Sequence, residues 1–454
     1  MSIRHVISCL VLAMAAFLIV ATSMPASANV YASGFSQTGV NSFTYKLNEN
    51  ADAGVTVQVW EVGGGMVHSE NLGAQSKGVQ SWSWDGTGYQ PGKTYKAKVV
   101  ASANGYMGWT KISTDATSTS FYVPVGVSVW KDQSNPMFGN IAISEAQGGT
   151  TAFGRTTQDG IYLLDSLNND LGHKTGGVSW NPANNAGPFK STIGPDNHLY
   201  AVDFANDLVY EFNDDLSSAH AIMAPSNRTA NQWVESLYVE GTGENRNIYL
   251  VNSNYNDTAR KGLIKYHIGS AAMLAPGDTG QQYIGPGYFA FYPRDVARDS
   301  NGDWYMNQYR NVASEAAAIS KFQDGAPPIN TALWETPKAA PYNGAYGIDI
   351  YEPFGWVAYG NYYDGWVHVF DMATGTYLTG FDAGTRLREV AFDAAGNIIT
   401  VDNMTEWMRV WAPGMGGNSF TSESWFQIAA VPEPSSLSAL LMGLPVILLR
   451  RRRR

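Results

Sequence analysis

The stretch Asp393-Ala394-Ala395-Gly396-Asn397-Ile398-Ile399-Thr400-Val401-Asp402 is a polar, glycine-bearing turn that runs into a short apolar segment ending on an acid. Turn residues followed by a β-branched run are the pattern of a hairpin feeding a buried strand. The unit recurs. Ile141-Ala142-Ile143-Ser144-Glu145, Leu199-Tyr200-Ala201-Val202-Asp203, Ile248-Tyr249-Leu250-Val251-Asn252, Trp304-Tyr305-Met306-Asn307-Gln308 and Trp356-Val357-Ala358-Tyr359-Gly360 are further copies, and their last residues follow one another at spacings of 42 to 58 residues. A further strand follows each copy, usually closing on an aromatic residue: Phe212, Tyr266, Phe322, Phe370 and Trp411, with Leu164 in the first unit. Room for a first strand precedes each, as at 126–129, 295–297, 347–350 and 389–392. Internal periods of this length are the mark of propeller blades, so residues 125–430 predict a six-bladed β-propeller. Seven blades are the alternative, should the longer units hide another strand pair. The run 425–428 is expected to supply the last outer strand.

Composition agrees with an all-β chain. Of 454 residues, 47 are Gly and 20 are Pro, 13% are aromatic and only 15% are charged, with 44% hydrophobic residues to build a core. Such a chain is neither disordered nor, with one cysteine, a disulfide scaffold. Its formal charge of −10 argues against a nucleic-acid partner.

Residues 29–124 are expected to form a β-sandwich with a linker. Alternating runs such as Val55-Thr56-Val57-Gln58-Val59-Trp60 and Tyr95-Lys96-Ala97-Lys98-Val99 are separated by Gly63-Gly64-Gly65 and Pro91-Gly92. Trp82 and Trp84 are expected in its core. The Ser/Thr-rich stretch before Val123 is taken as the boundary.

Three resemblances follow from these residues. Trp84-Asp85-Gly86-Thr87-Gly88, then Pro91-Gly92-Lys93-Thr94-Tyr95, resembles the signature of the Ig-like domain of flagellar hook-capping proteins, which implies a spacer or adhesion module. The repeat, with its Asp-x-x-Gly turn, Val-Asp strand end and aromatic strand end, resembles NHL-type propellers. At the C-terminus, Pro432-Glu433-Pro434 precedes an apolar run at 437–449 and then Arg450 to Arg454. That tail, 431–454, resembles the PEP-CTERM sorting signal, which implies an exosortase-type processing enzyme as partner and a short helix that holds the chain transiently in the inner membrane. The arginine block would stay cytoplasmic.

At the other end, residues 1–28 read as a secretory signal peptide. Arg4 precedes an apolar stretch, and Ala26 and Ala28 are the small residues before the expected cleavage at Asn29. Removal of both ends takes away Cys9 and leaves 23 basic against 38 acidic residues, a net charge of −15. The localisation expected is the cell surface or extracellular matrix of a Gram-negative bacterium.

In a blade, the first strand begins and the second strand ends on one face near the central channel. The repeat therefore gathers Glu145, Asp203, Asn252 and Asp402 from second strands, and Arg294, Asp295, Arg388 and Glu389 from first strands, as candidate ligand-binding residues. Glu235 and Gln308 join the same set. Converging carboxylates could hold Ca²⁺, and Arg294 with Arg388 could clamp an anion. Asp203 and Asp402 also suit a simpler role, hydrogen-bonding their own turns. The Asp299-to-Asp303 run lacks a glutamate at the twelfth position of an EF-hand loop and reads as a hairpin turn. Tyr309, Tyr362 and Tyr363 stand in loops of this face and could stack on sugars, although packing between blades is the simpler role for such aromatics. There is no nucleophile elbow, phosphate loop, catalytic cysteine or histidine pair at metal-ligand spacing. The expected function is thus a non-enzymatic binding scaffold for extracellular polysaccharide or surface proteins. The alternative is a Ca²⁺-dependent, lactonase-like propeller hydrolase.

Overall fold

A computed structural model describes residues 30–180, 187–254, 256–309, 316–338, 342–414 and 416–429. Ala26 and Ala28, like Pro432, Glu433, Pro434 and the apolar run behind them, lie outside the described residues. Among the described residues no helix is long and apolar enough to cross a membrane.

The chain is all-β. Six four-stranded antiparallel sheets form the blades predicted by the repeat, and among the described residues there is no seventh. Blade 1 is built from Pro124–Val129, Ile141–Glu145, Gly160–Leu164 and Asp170–Lys174. Blade 2 begins at Ser191–Ile193, blade 3 at Val234–Glu240, blade 4 at Tyr292–Arg298, blade 5 at Ala345–Tyr351 and blade 6 at Leu387–Phe392. The second strands of blades 1, 2, 5 and 6 are buried along their whole length because each is flanked in its sheet and packed between neighbouring blades, which explains the unbroken apolar runs. Tyr200, Tyr249, Trp304, Tyr305 and Tyr359 fill the spaces between blades and are fully buried. Asp299 accepts the amides of Asn301 and Asp303 at 3.0 and 2.9 Å, the expected hairpin turn.

The sandwich has a three-stranded sheet, Ala32–Gln37, Ser42–Leu47 and Gly78–Ser83, facing a four-stranded one. Trp82 and Trp84 lie in its core beside Phe43, Tyr95 and the valines of Ala51–Glu61, as expected.

The expectation for the last outer strand is corrected. Blade 6 is closed by Thr110–Lys111, which pairs with Trp411 and Ala412. A bidentate pair between Arg409 and Asp115, at 2.9 and 3.1 Å, reinforces the closure. Once this early segment occupies the edge of blade 6, the later one has no place there. Ser419–Ile428, which contains residues 425–428, instead leaves the propeller and pairs over ten residues with Tyr95–Asn104 of the sandwich. The boundary expected at 124/125 and the propeller expected to run to 430 therefore give way to a different plan. The propeller is inserted in the sandwich, whose last strand comes from the far end of the chain. Where the two passages cross, a Cβ on Gly414 would lie 2.1 Å from the Gly108 Cα. Backbone passes backbone there, and only glycine fits.

The sandwich rests on the lower face of the propeller. Lys46 reaches Asp165 at 2.8 Å, Ser33 meets Ser166 at 2.7 Å, and Tyr31 packs edge-on against Phe138. The Gln133 side chain accepts the Trp425 amide and donates to the Glu423 carbonyl, which covers the outer edge of the returning strand.

Candidate functional site

The inner strands share one irregularity. Register shifts fall between Pro124 and Gly126, Val234 and Ser236, Pro293 and Val296, Ala345 and Gly347, and Leu387 and Glu389. A bulge at the same level of five blades re-aims side chains, as bulges do. The residues inside these shifts are Val125, Glu235, Arg294 with Asp295, Tyr346 and Arg388. The alternation visible in sequence does not show the bulges, yet they decide which side chains face the axis.

The upper layer joins arginine to tyrosine. The Arg294 guanidinium pairs with the Glu235 carboxylate and lies 4.8, 5.1 and 5.0 Å from the rings of Tyr292, Tyr309 and Tyr346. Arg388 lies 4.3 Å from the ring of Tyr346 and 5.5 Å from both Phe189 and Tyr362. Arg386 stands 4.9 Å over Tyr362. Tyr362 stacks on Tyr346 at 5.3 Å, and Tyr309 meets both edge-on. Neither Arg386 nor Arg388 forms an ion pair among the described residues, and the buried Nε of Arg388 has no hydrogen-bond partner there. Two of the predicted residues, Arg294 and Arg388, are thus brought together with the predicted tyrosines.

Beneath lies a charge network that sequence reasoning missed at its centre. Lys190 is almost wholly buried, and its Nζ donates to Asp295 at 2.9 Å, Glu389 at 2.6 Å and the Tyr346 carbonyl at 3.0 Å. Asp295 also accepts from Ser236 Oγ and the Ile348 amide, and Glu389 from the Val390 amide. Burial works against the charge on Lys190, but Asp295 and Glu389 outweigh it and hold the ammonium above its ordinary range. Burial and the neighbouring Asp295 push the Glu389 carboxyl well up. No motif points to Lys190; only the closing of six blades puts it beside acids 105 and 199 residues away. A cavity of about 570 Å³ enters from the lower face and ends at this layer, against Ser236, Asp295 and Glu389.

The remaining predicted residues are not open to the axis. Glu145 accepts the amides of Tyr122 and Val123, and burial pushes its carboxyl up to about 8. Asp203 holds Asn206 in its turn, at 3.2 Å to the amide and 2.7 Å to the side chain. Asp402 accepts four amides, from Thr385, Arg386, Met404 and Thr405. Asn252 accepts the Trp233 amide at 3.0 Å and donates to Asp257 at 2.9 Å. Gln308 takes the Phe291 amide. These groups pin the loops of the upper face.

A Ca²⁺ ion wants six to eight oxygens with uncompensated charge. The axial carboxylates do not fit it. Glu235 faces Arg294, while Asp295 and Glu389 share Lys190, so the three acids are already turned toward two cations of the protein. A second acidic group lies near the lower end of blade 2, where ligating atoms of Asp196, His198 and Glu211 are within 4.8 Å of one another. It too is compensated from within, since Arg246 donates to Glu211 at 2.8 Å. Burial opposes a charge on His198, but Glu211, Asp196 and Asp214 outweigh it and hold the imidazole above its usual range.

The family model described as the FlgD Ig-like domain matches residues 28–105, in agreement with the resemblance carried by Trp84 to Tyr95. No curated protein matches the chain. Among solved structures, a protein of unknown function from Bacteroides thetaiotaomicron is 11% identical with a TM-score of 0.46, covering 86% of this chain and 99% of that one. A gluconolactonase from Xanthomonas campestris is 12% identical with a TM-score of 0.43, covering 70% and 90%. Virginiamycin B lyase from Staphylococcus aureus is 11% identical with a TM-score of 0.37, covering 72% and 99%. At such identities and scores no residue role passes from them to this chain. The protein is an Ig-like sandwich carrying an inserted six-bladed β-propeller, as its own strand pairing defines it.

Proposed function

We propose that the chain is an exported, non-enzymatic surface or matrix protein whose upper propeller face binds an acidic polysaccharide. The observation that carries the reading is the pair Arg386 and Arg388, two guanidiniums on a bed of tyrosine that pair with no carboxylate among the described residues. In a chain of net charge −10 with more acids than bases, two arginines without an acid among the described residues favour an external anion as their partner. Arginine presents a planar fork that matches a carboxylate. The tyrosine rings offer flat faces with polar edges, suited to sugars. Export rests on the two ends of the sequence: a signal peptide before Asn29, a tail resembling PEP-CTERM signals, and an exosortase-type enzyme that acts on it. NHL kinship is the matching reading of the repeat.

The test is calorimetric titration of the mature chain, 29–431, with a polyuronate and with a neutral glucan of equal length. Binding of the acidic polymer alone is expected, and equal binding of both would overturn the reading. Turnover of lactones or sugar esters would contradict the non-enzymatic assignment. Intact mass of the released protein should lack both ends; retention of Arg450 to Arg454 would overturn the sorting assignment.

A further inference from the structure

We infer that the upper face carries an extended stripe for a run of uronate residues, from Trp233 across the axis to Tyr363; this rests on the anion-binding reading above and adds the length and path of the ligand. Five successive contacts of 5.2 to 6.3 Å link the stripe: Trp233 to Phe204, Phe204 to Phe189, Phe189 to Arg388, Arg388 to Tyr362, and Tyr362 to Tyr363; Phe189, 3% exposed, is the buried link that supports Phe204 and Arg388 and does not itself meet the ligand. It begins between blades 2 and 3, passes the axis at Arg388 and ends on blade 5. Its ends are its most exposed points, Trp233 at 38% and Tyr363 at 45%.

The far end is built, not incidental. The Trp233 amide donates to Asn252 Oδ1 at 3.0 Å and its carbonyl accepts the Ser253 amide at 2.9 Å, so the backbone beneath the indole is fixed on both sides. Asn252, a predicted ligand residue, thereby acts as a positioning residue for Trp233. The order of chemistry along the stripe is aromatic, then guanidinium, then aromatic. A polyuronate offers the complementary order, with the C–H faces of its rings for the aromatics and a carboxylate for Arg388. A small anion would use only the axis. A neutral glucan would cover the rings but leave Arg388 without an acceptor, at a cost comparable to a lost charged hydrogen bond.

The experiment compares galacturonate, an oligogalacturonate of six residues and cellohexaose on the mature chain and two variants by calorimetry. We expect the acidic hexamer to bind at least about tenfold more tightly than the monomer, as engagement of an exposed tryptophan allows, and cellohexaose to bind far more weakly. Trp233→Ala, at a site 38% exposed whose indole packs on Phe204, should remove the gain from length, with an unchanged circular dichroism spectrum showing that the fold is kept. Arg388→Lys should weaken monomer and hexamer together. Equal affinity for monomer and hexamer, or a hexamer affinity that Trp233→Ala does not change, overturns the stripe while the anion-binding reading stands. No binding of any uronate overturns both.

Discussion

A methyl group on Gly347 would lie 2.0 Å from a Glu389 carboxylate oxygen and 2.5 Å from the Glu389 Cα. The glycine is therefore required by the axial network and not by its own backbone angles. Gly347→Ala is expected to cost about 1–3 kcal/mol, the usual range for overpacking, measured by urea unfolding; an unchanged midpoint would show that the layer can yield. Lys190→Met removes the one cation shared by Asp295 and Glu389 and should cost about 3–5 kcal/mol, because it leaves buried acids unpaired. A loss below about 1 kcal/mol would contradict the arrangement. At this scale the sequence was partly legible. Arg294, Asp295, Arg388 and Glu389 could be placed at the axis because they begin repeated strands. Lys190 could not, since its blade opens with no comparable signal and its partners come from three other blades. Glu145, Asp203 and Asp402 looked like ligand groups because an acid at a strand end carries the same letter whether it faces a ligand or its own turn.

Among the elements, the end of the strand Ser419–Ile428 was visible as the run 425–428, but its length and its partner were not. A short apolar run says that a segment pairs; it does not say across which sheet. Thr110–Lys111 was invisible for the opposite reason, being two residues in a stretch rich in turn formers. Truncation after Gly417 removes ten paired residues from the sandwich and leaves all six blades intact. Limited proteolysis should then cut within 30–104 while 124–412 resists; equal resistance of both regions would refute the pairing. Gly414→Ala attacks the crossing itself, and its expected signature is the same cleavage pattern at a reduced melting temperature.

For the whole molecule, insertion predicts coupled unfolding, because the sandwich needs the strand that the propeller delivers and the two share the contacts at Lys46, Ser33 and Gln133. Scanning calorimetry should show one transition, and two well-separated ones would count against it. His198 adds a pH dependence. Its folded value is held above its unfolded one, about 6.5, so its stabilising contribution is complete below that pH and is lost as the pH rises through the folded value. The melting temperature of the chain relative to His198→Gln should therefore be higher at pH 5 than at pH 9, and a difference independent of pH would refute it. The inserted plan also has a mechanical consequence. Residues 30 and 429 both belong to the sandwich or its margin, so tension applied between them is borne by the sandwich strands, and the hydrogen bonds between Ser419–Ile428 and Tyr95–Asn104 carry the load before it can reach the propeller. The propeller hangs beside that load path, and its upper face would keep its shape under a pull that strains the stalk.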